Sequence, residues 1–384
     1  MSDAKTTLVL GGGVGGLVTA RTLRKRLSRE HKIILVDRES EHVFAPSLLW
    51  LMVDDRSADS ISRPFSRLER YGIGVRRGEI DRIDPEHRRV VVSGEEIAAD
   101  FLVISLGATL APESIAGLSD AGHNFYTLAG AQTLRDALRA FSGGRVVVLT
   151  AAPAYKCPAA PYEAALLIES HLRKRGVGQL TVDLYAAEPG PMGVAGPDVS
   201  QAVRHMIEER DIAYHPGHQV VSVDASAKQI AFANGTTADY DLLAYVPPHR
   251  APSVVVDAGL TTESGWIAVD RHTMETSFEH VFAIGDVVGI PLELGKPLPK
   301  AGVFAHGQAE VVAGNIAAIV AGRAPEQRFD GHGECFIEMG GGRAGFGGGD
   351  FYAEPTPIVK LKQPGRRWHW GKVLFEKQWL WRTF

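Results

Sequence analysis

The sequence predicts an α/β protein with two Rossmann-like βαβ domains and a C-terminal domain that ends in an amphipathic tail. Three observations support this prediction. A glycine-rich turn joins an apolar strand to a helix near the N-terminus, a second strand–helix–strand pattern spans residues 145–185, and the last residues are rich in basic and aromatic side chains. We assign residues 1–112 and 276–328 to the first domain, 113–275 to the second and 329–384 to the third.

Composition and charge limit the possible functions. The chain has 384 residues, of which 45% are hydrophobic and 22% are charged, as in soluble globular proteins with more than one domain. Its net charge of −4 argues against general nucleic-acid binding. We expect no apolar run long enough to span a bilayer and no signal peptide, which predicts a cytoplasmic location.

The first strand-to-helix turn has a dinucleotide-binding pattern. At G-x-G-x-x-G spacing, Gly11 allows the tight turn, Gly13 lets a pyrophosphate approach the backbone, and Gly16 lets helix and strand pack closely. The N–H groups at the helix start then face the phosphate. Asp37 ends the next apolar strand, where an acidic residue holds a ribose hydroxyl. At this point the ligand is FAD or NAD, and the alternative is a glycine turn that binds nothing.

The chain continues with a short apolar helix after residues 44–47 and an antiparallel meander over residues 73–93. Residues 101–108 form a buried strand that ends in Gly107 and Ala108. We expect this end to lie beside the first turn, where it gives the dinucleotide a second backbone contact.

The second βαβ unit lacks the phosphate-binding glycines. Its strand at residues 145–149 is followed by a turn over residues 150–158, a helix over 160–173 and a strand over 180–185 that ends near Glu188. Pro153 and Pro158 restrict the backbone of the turn. We therefore expect this unit not to bind NAD(P)H in the usual way; Cys157 stands there instead.

The remaining elements follow from local patterns. We expect a helix over 198–209, short strands within 213–245, a strand that runs into Gly285 and Asp286, and an apolar helix over 301–321. A strand over 331–338 and a glycine-rich hairpin over 340–349 complete the body of the protein.

The two cysteines, Cys157 and Cys335, lie far apart in the sequence. In a reducing compartment such a pair is more often catalytic than structural, although two unconnected buried thiols are the alternative. No Cys/His spacing indicates a metal site, and His306 and His332 are expected to pack or to form hydrogen bonds.

The C-terminal segment has a composition of its own. Residues 356–384 contain seven Lys and Arg residues, one acidic residue and four of the six tryptophans. Helical spacing places Trp370, Val373, Leu374, Leu380, Trp381 and Phe384 on one side, and Lys372, Glu376, Arg382 and Thr383 on the other. This pattern is typical of a helix at a bilayer surface, and the alternative is a tail packed on the body or at a dimer contact.

The glycine turn, the modified second βαβ unit and the late segment Ala283-Ile284-Gly285-Asp286 resemble the flavoproteins with two dinucleotide-binding domains. The resemblance implies that the first turn and Asp37 bind the ADP half of FAD. It also implies that Asp286 binds the ribityl chain and that the helix after Lys300 points its N-terminus at the flavin. The implied cofactor-binding residues are Gly11, Gly13, Val14, Gly15, Gly16, Asp37, Arg38, Gly107, Ala108, Gly285, Asp286, Lys300, Ala301 and Gly302.

Within these flavoproteins the chain is similar to the sulfide:quinone oxidoreductase and flavocytochrome c sulfide dehydrogenase group, on residues 155–163, 333–340 and 371–381. This similarity implies a Cys157–Cys335 disulfide that hydrosulfide attacks, leaving a persulfide, while electrons pass through the flavin to a quinone. It also implies a proton-relay role for Glu163, whose alternative is an ordinary acidic residue at a helix start. Lys300 is expected to pair with the reduced flavin or to contact the quinone. The alternative for Lys300 is a solvated residue next to the helix N-cap.

The chain departs from the group in two ways. Residues 44–47, where the flavocytochromes attach FAD through a cysteine, read Phe-Ala-Pro-Ser, so we expect noncovalent FAD; a third cysteine that many members have is missing. The implied partners are sulfide or another small sulfur species, a quinone, a membrane surface through residues 366–384 and a sulfur-carrier protein, and the implied location is the inner face of the membrane. The rival functions are a type II NADH:quinone dehydrogenase and a noncatalytic flavin redox sensor or sulfur-carrier docking protein.

Overall fold

The computed structural model describes residues 4–384 and confirms the predicted α/β class with two Rossmann-like parallel sheets. The first sheet has five parallel strands, which in spatial order are Val281–Ala283, Phe101–Ile104, Thr6–Leu10, Lys32–Asp37 and Gly74–Arg77. The strand before the glycine turn lies at its centre, where Leu8, Val9 and Leu10 have no exposed surface. Strands buried on both faces are continuous apolar runs, which is why the sequence shows them clearly.

The second sheet has the same construction in the second domain. Its five parallel strands are His123–Asn124, Leu242–Val246, Gly144–Thr150, Leu180–Ala186 and Ala213–His215. The strand before the Cys157 turn is central here. Both strand-to-helix turns thus lie at the carboxyl end of a central strand, the place where α/β sheets bind ligands. The domain boundaries at residues 112, 275 and 328 stay a prediction.

Small antiparallel sheets flank the parallel ones. Two three-stranded meanders consist of Ile80–Asp84, Arg89–Val92 and Glu95–Ala98, and of Val220–Asp224, Gln229–Phe232 and Thr237–Asp239. Two ribbons pair Glu41–Val43 with Ser62–Pro64 and Thr109–Leu110 with His249–Arg250. The meander predicted over residues 73–93 is therefore shifted, because Gly74–Arg77 joins the first parallel sheet as its edge strand. An edge strand is only partly buried since water reaches it, so its pattern resembles that of an antiparallel strand.

Ten α-helices lie within residues 4–384. They are Val14–Arg26, Leu48–Met52, Ala58–Ile61, Leu118–Ala121, Leu128–Ala140, Ala160–Lys174, Pro197–Glu208, Ser253–Asp257, Gly302–Val320 and Arg366–Thr383. Short 3₁₀ turns are Ala45–Ser47, Phe65–Tyr71, Pro112–Ser114, Gly193–Ala195 and Gly285–Val287. We call four of the helices the fingerprint helix (Val14–Arg26), the cysteine helix (Ala160–Lys174), the apolar helix (Gly302–Val320) and the C-terminal helix (Arg366–Thr383).

The apolar helix belongs to the core. By length and composition it is sufficient to cross a membrane, which the sequence analysis did not expect of any segment, but 61% of its apolar window is buried inside the protein. It packs against the fingerprint helix, and Ala309, Val312, Ala313 and Ile316 have no exposed surface. The burial explains its composition without a bilayer.

A C-terminal sheet of three antiparallel strands carries Cys335. Its strands are His332–Glu338, Ala344–Asp350 and Ile358–Gly365. The turn of the predicted glycine hairpin is confined to residues 340–343, and the later glycines lie within the middle strand. There a Cβ on Gly349 would overlap the carbonyl oxygen of Ile358, so the sheet needs glycine at this position.

The C-terminal helix packs with one face and exposes the other. The buried face contains Lys372, Glu376, Trp379 and Leu380, whereas Trp370 and Trp381 are 67% and 76% exposed. Helical spacing predicts Leu380 and Phe384 on the same side as these two tryptophans, and Lys372 and Glu376 on the opposite, polar side. The structure buries Lys372 and Glu376 because each has an ion-pair partner in the body of the protein. The inner face is thus partly ionic, and much of the outer face is apolar.

Candidate active site

The glycine turn is shaped as a phosphate cradle. Gly11 has a φ of +97°, and its N–H donates to the carbonyl oxygen of Val36 (2.8 Å). A Cβ on Gly11 would overlap the Ser105 carbonyl, and one on Gly16 would overlap the Gly11 carbonyl, whereas a Cβ on Gly13 would have no neighbour within 4 Å. The turn is therefore tight on its inner side and open at Gly13, where Val14 and Gly15 begin the fingerprint helix. This fits a pyrophosphate held by backbone N–H groups.

Asp37 closes the same turn. Its Oδ2 accepts from the Gly12 N–H (2.6 Å) and its Oδ1 from the Glu39 N–H (2.8 Å), while burial raises the pKa of the carboxyl group. Two bonds leave further lone pairs on the carboxylate for a ribose hydroxyl. Arg38 points away from this cluster toward Glu39 and Glu79, with 68% of its side chain exposed.

Two further segments complete the cradle. Ser105 donates its N–H to the Leu10 carbonyl (2.8 Å), which brings Gly107 and Ala108 beside the glycine turn, and Gly107 has a φ of +67° with open space at its Cβ position. The segment with Gly285 and Asp286 follows the neighbouring strand Val281–Ala283. No described donor contacts the Asp286 carboxylate, and burial raises its pKa, so a hydroxyl-bearing ligand fits there.

The start of the apolar helix meets these segments. Gly302 begins the helix, and its Cβ position lies 3.6 Å from Val14, the first residue of the fingerprint helix. Lys300 and Ala301 precede it. The Lys300 side chain is 8% exposed and donates to the carbonyls of Asp286 (2.7 Å) and Val288 (2.9 Å). Burial lowers the pKa of Lys300 to about 8.

Lys300 also connects the cofactor cradle to the first cysteine. Its carbonyl oxygen accepts from the Cys157 N–H (2.6 Å), and Tyr126 donates its hydroxyl to the carbonyls of Lys156 (2.9 Å) and Cys157 (3.3 Å). Cys157 has a φ of +52°, a left-handed conformation that costs about 1 kcal/mol or more in a residue with a side chain. These three bonds hold the cysteine turn in that conformation.

Both cysteines are free thiols that line one cavity of about 710 Å³. The cavity lies between the Cys157 turn, the loop before helix Pro197–Glu208, the start of the apolar helix and the C-terminal sheet. The surface that Cys335 exposes faces this cavity. Burial by the surrounding protein, with Glu163 nearby, raises the pKa of Cys335 to about 11 and raises that of Cys157 further. These shifts favour the protonated thiol over the thiolate at both reduced cysteines.

Glu163 lies on the cysteine helix and is buried. Its Oε1 accepts from Lys372 Nζ (2.7 Å) and from the Glu338 N–H (2.8 Å). Burial opposes the charge of Lys372, but the carboxylates of Glu163 and Glu338 outweigh this effect and raise the pKa of the lysine. Glu338 in turn contacts His369 on the C-terminal helix (3.1 Å). No local pattern assigns a site role to Lys372, Glu338 or His369, and helical spacing places Lys372 only on the polar side of the C-terminal segment.

A second missed cluster surrounds Glu188, at the end of the second sheet's strand Leu180–Ala186. Its carboxylate accepts from the hydroxyls of Tyr155 (2.5 Å), Tyr162 (2.8 Å) and Thr150 (2.9 Å). An acidic residue at this place in a nucleotide-binding unit holds the ribose. Here three hydroxyls of the protein bind the carboxylate in place of the ribose hydroxyls. The adjoining turn also lacks the glycines that would bind phosphate.

Comparison with known proteins relates this arrangement to described families. A sequence model of the pyridine nucleotide-disulphide oxidoreductase family matches residues 5–309. The mitochondrial sulfide:quinone oxidoreductase of Mus musculus is 25% identical over 377 residues, which cover 94% of this chain and 81% of the mouse protein. The X-ray structure of the sulfide:quinone oxidoreductase from Aquifex aeolicus matches with a TM-score of 0.89 at 27% identity, covering 99% of this chain and 91% of that chain.

Proposed function

The chain belongs to the pyridine nucleotide-disulphide oxidoreductase family, and from this premise we propose that it is a flavin-dependent sulfide:quinone oxidoreductase. The observation that carries the proposal is the shared cavity of Cys157 and Cys335, whose wall includes Lys300 and Ala301 at the end of the cofactor cradle. The sequence relatives named above have this activity. A redox-active cysteine pair beside a flavin cradle has the chemistry that sulfide oxidation requires.

The cradle would hold FAD without a covalent bond. The pyrophosphate would lie on the N–H groups around Gly13, a ribose hydroxyl on Asp37 and the ribityl chain on Asp286. Both cysteines of the chain lie in the cavity, and residues 44–47 contain none that could link to the flavin. When bound, FAD would supply a two-electron acceptor that can be reoxidised by a quinone.

The chain's own residues would handle the sulfur. With Cys157 and Cys335 oxidised to a disulfide, HS⁻ attacks one sulfur, forms an S–S bond and displaces the other as a thiolate. The raised pKa values of the cysteines disfavour a lasting thiolate, so the charge must be passed on or protonated quickly. A volume of about 710 Å³ leaves room for a small sulfur species as the second acceptor. We propose a sulfur-carrier protein as the alternative acceptor.

The second domain argues against the NADH:quinone dehydrogenase alternative. Glu188 is already bound by three protein hydroxyls, and Pro153 and Pro158 stand where the phosphate glycines would be needed. We therefore expect that NADH does not reduce the flavin.

We also propose that the protein is peripheral at a membrane surface, on its inner face, through residues 366–384. The exposed side of the C-terminal helix presents Trp370, Leu374, Phe375 and Trp381 next to Arg366, Arg367, Lys377 and Arg382. Aromatic and basic residues on one helix face suit the boundary between acyl chains and anionic headgroups. A quinone partner is dissolved in that bilayer.

Anaerobic stopped-flow spectroscopy tests the proposed function. Sulfide should bleach the flavin of the wild-type protein, and added quinone should restore the oxidised spectrum. We expect Cys157→Ser and Cys335→Ser to lower the rate of bleaching by sulfide by about two orders of magnitude or more. Rapid bleaching by NADH, or equal rates in the serine variants and wild type, would contradict the proposal. Sulfide bleaching without quinone turnover would instead favour the redox-sensor alternative.

A further inference from the structure

His369 and Glu338 form a contact that the sulfur chemistry does not use. His369 Nδ1 lies 3.1 Å from Oε2 and 3.2 Å from Oε1 of Glu338. The Glu338 side chain is 1% exposed, whereas that of His369 is 24% exposed. The pair therefore connects a buried carboxyl group to an imidazole that water can reach.

The same pair adjoins the ionic group near the cysteines. The Glu338 N–H donates to Glu163 Oε1 (2.8 Å), and Lys372 Nζ donates to the same oxygen (2.7 Å). Cys335 lies on the same strand as Glu338, three residues earlier. His369 thus contacts the Glu338 carboxyl group, and the Glu163–Lys372 pair lies near enough for its charges to shift the pKa of that carboxyl group.

The buried Trp50 side chain packs near His369 and Lys372. The Trp50 ring is 1% exposed; its centroid lies 6.0 Å from that of His369 and 5.1 Å from Lys372 Nζ. Arg56, whose Cζ lies 4.4 Å from the Trp50 ring centroid, forms an ion pair with Glu376. The charged and titratable groups that affect the pKa of Glu338 come from two helices: His369 and Lys372 from the C-terminal helix and Glu163 from the cysteine helix.

The proposed reaction, on which this inference rests, needs a proton from solvent. Its balance is HS⁻ + H⁺ + quinone → S⁰ + quinol, in which sulfide loses two electrons, the quinone gains them and the sulfur stays bound to a cysteine or an acceptor. Quinol formation takes two protons, but hydrosulfide supplies only one. One proton per turnover must therefore come from solvent.

We propose that His369 and Glu338 take up this proton. The imidazolium of His369 gives its Nδ1 proton to the Glu338 carboxylate, and the neutral ring is reprotonated from water. Glu338 then supplies the proton to the groups around Glu163 and Lys372. His369 and Glu338 are proton-transfer residues in this proposal; they contact neither the cysteines nor the cofactor cradle.

Separating the two half-reactions tests the proposal. In His369→Ala we expect an unchanged rate of flavin bleaching by sulfide, but reoxidation of the reduced flavin by quinone slowed about tenfold or more. Imidazole in the buffer should restore the rate, since it can occupy the space of the missing ring. Glu338→Gln should show the same slowing without rescue. His205→Ala, which removes an exposed histidine on helix Pro197–Glu208, is the matched control.

A second measurement, an infrared titration of the protein without its cofactor, tests the contact between His369 and Glu338. Burial raises the pKa of Glu338, and the contact with His369 opposes that shift. In an infrared titration of the cofactor-free protein, the carboxylic-acid C=O band of Glu338 should vanish in Glu338→Gln. In His369→Ala its midpoint should move to higher pH. An unchanged midpoint, or reoxidation by quinone at the wild-type rate in His369→Ala, would overturn this proposal. Neither result bears on the proposed function, which is tested separately by flavin bleaching with sulfide in the wild-type protein and the serine variants.

Discussion

Lys372 and Glu163 show how a residue's environment can reverse its apparent character. In sequence Lys372 is one of several basic residues in a polar, aromatic tail. In the structure both side chains are buried and their charged atoms are 2.7 Å apart. Neither charge could be buried alone, because removing an ion from water costs several kcal/mol. Each charge can therefore be buried only because the other is buried next to it.

Lys372→Met should therefore strongly destabilise the protein. The substitution leaves Glu163 buried with only the Glu338 N–H as partner, and losing one member of such a pair costs about 3–5 kcal/mol. Urea unfolding at pH 7 measures the loss. The double variant Glu163→Gln/Lys372→Met should recover much of it, since no lone charge remains. Lys377→Met, at a 60% exposed side chain on the same helix, should change stability by less than about 0.5 kcal/mol.

At the scale of elements, the two faces of the C-terminal helix differ: the inner face attaches the helix to the first domain, and we propose that the outer face binds a membrane. Its inner face is tied to the first domain: Glu376 accepts from Ser47 (2.7 Å) and Arg56 (2.9 Å), and Trp379 donates its indole N–H to His42 (3.2 Å). Arg70 also donates to the carbonyl of Phe384. These contacts hold the helix in place, so its outer face is presented to the surroundings as a fixed surface.

That outer face should decide membrane binding. In the triple variant Trp370→Ser/Leu374→Ser/Trp381→Ser we expect binding to vesicles of anionic lipid to be lost, while the unfolding curve stays close to that of the wild type, because these side chains are exposed. Cosedimentation with vesicles measures binding. Val221→Ser/Val256→Ser is the matched control, since it removes two exposed apolar side chains elsewhere. Vesicle binding by the triple variant at the wild-type level would contradict the membrane proposal.

The strands and helices around the cofactor cradle could be predicted from sequence, but the strand at the edge of the first sheet could not. Buried parallel strands such as Thr6–Leu10 and Phe101–Ile104 are continuous apolar runs with few other interpretations. The edge strand Gly74–Arg77 is short, polar and only partly buried, like the first strand of the antiparallel meander that follows it, so local pattern could not separate the two. Gly11, Gly13 and Cys157, which the sequence identified, lie on turns after the central strands Thr6–Leu10 and Gly144–Thr150. The missed site residues, Lys372, Glu338 and Glu188, depend on partners that come from distant segments.

At the scale of the whole molecule, two histidines with lowered pKa values lie in different parts of the fold: His42 is buried and His249 is half-buried. His42 donates from Nδ1 to the Gly12 carbonyl in the glycine turn (3.0 Å), and its Nε2 accepts from Trp379. His249, in the second domain, donates from Nδ1 to the Pro247 carbonyl (2.8 Å), and its Nε2 is buried without a partner. Burial lowers the pKa of each to about 4. Both rings are therefore neutral in the folded protein at any pH above that value.

Stability should fall as the pH drops from about 6.5 to about 4. In this window the unfolded chain binds a proton at each histidine, with an ordinary pKa near 6.5, and the folded chain does not. The stabilising effect is complete above about pH 6.5 and decreases by about 1.4 kcal/mol per pH unit for each histidine below it. Urea unfolding at pH 7 and pH 5 measures the difference.

Matched variants identify the source of this pH dependence. His42→Gln and His249→Gln should each reduce the loss between pH 7 and pH 5 by about 2 kcal/mol, because neither glutamine titrates. His205→Gln, at a side chain that is 71% exposed, should leave the loss unchanged. An equal pH dependence in all three variants would exclude His42 and His249 as its source.

The sequence alone determined the fold class, the glycine turn and the cysteine-bearing segments, because each depends on residues close together in the chain. Backbone turns, strand burial and helix periodicity are local properties that side-chain pattern records directly. Only the tertiary structure decided which face of the C-terminal helix is buried and which carboxylate forms the ion pair with Lys372. It also decided that three hydroxyl groups donate hydrogen bonds to Glu188. These outcomes depend on the free energy of burying a charge or polar group, which is set by partners that folding brings from elsewhere in the chain.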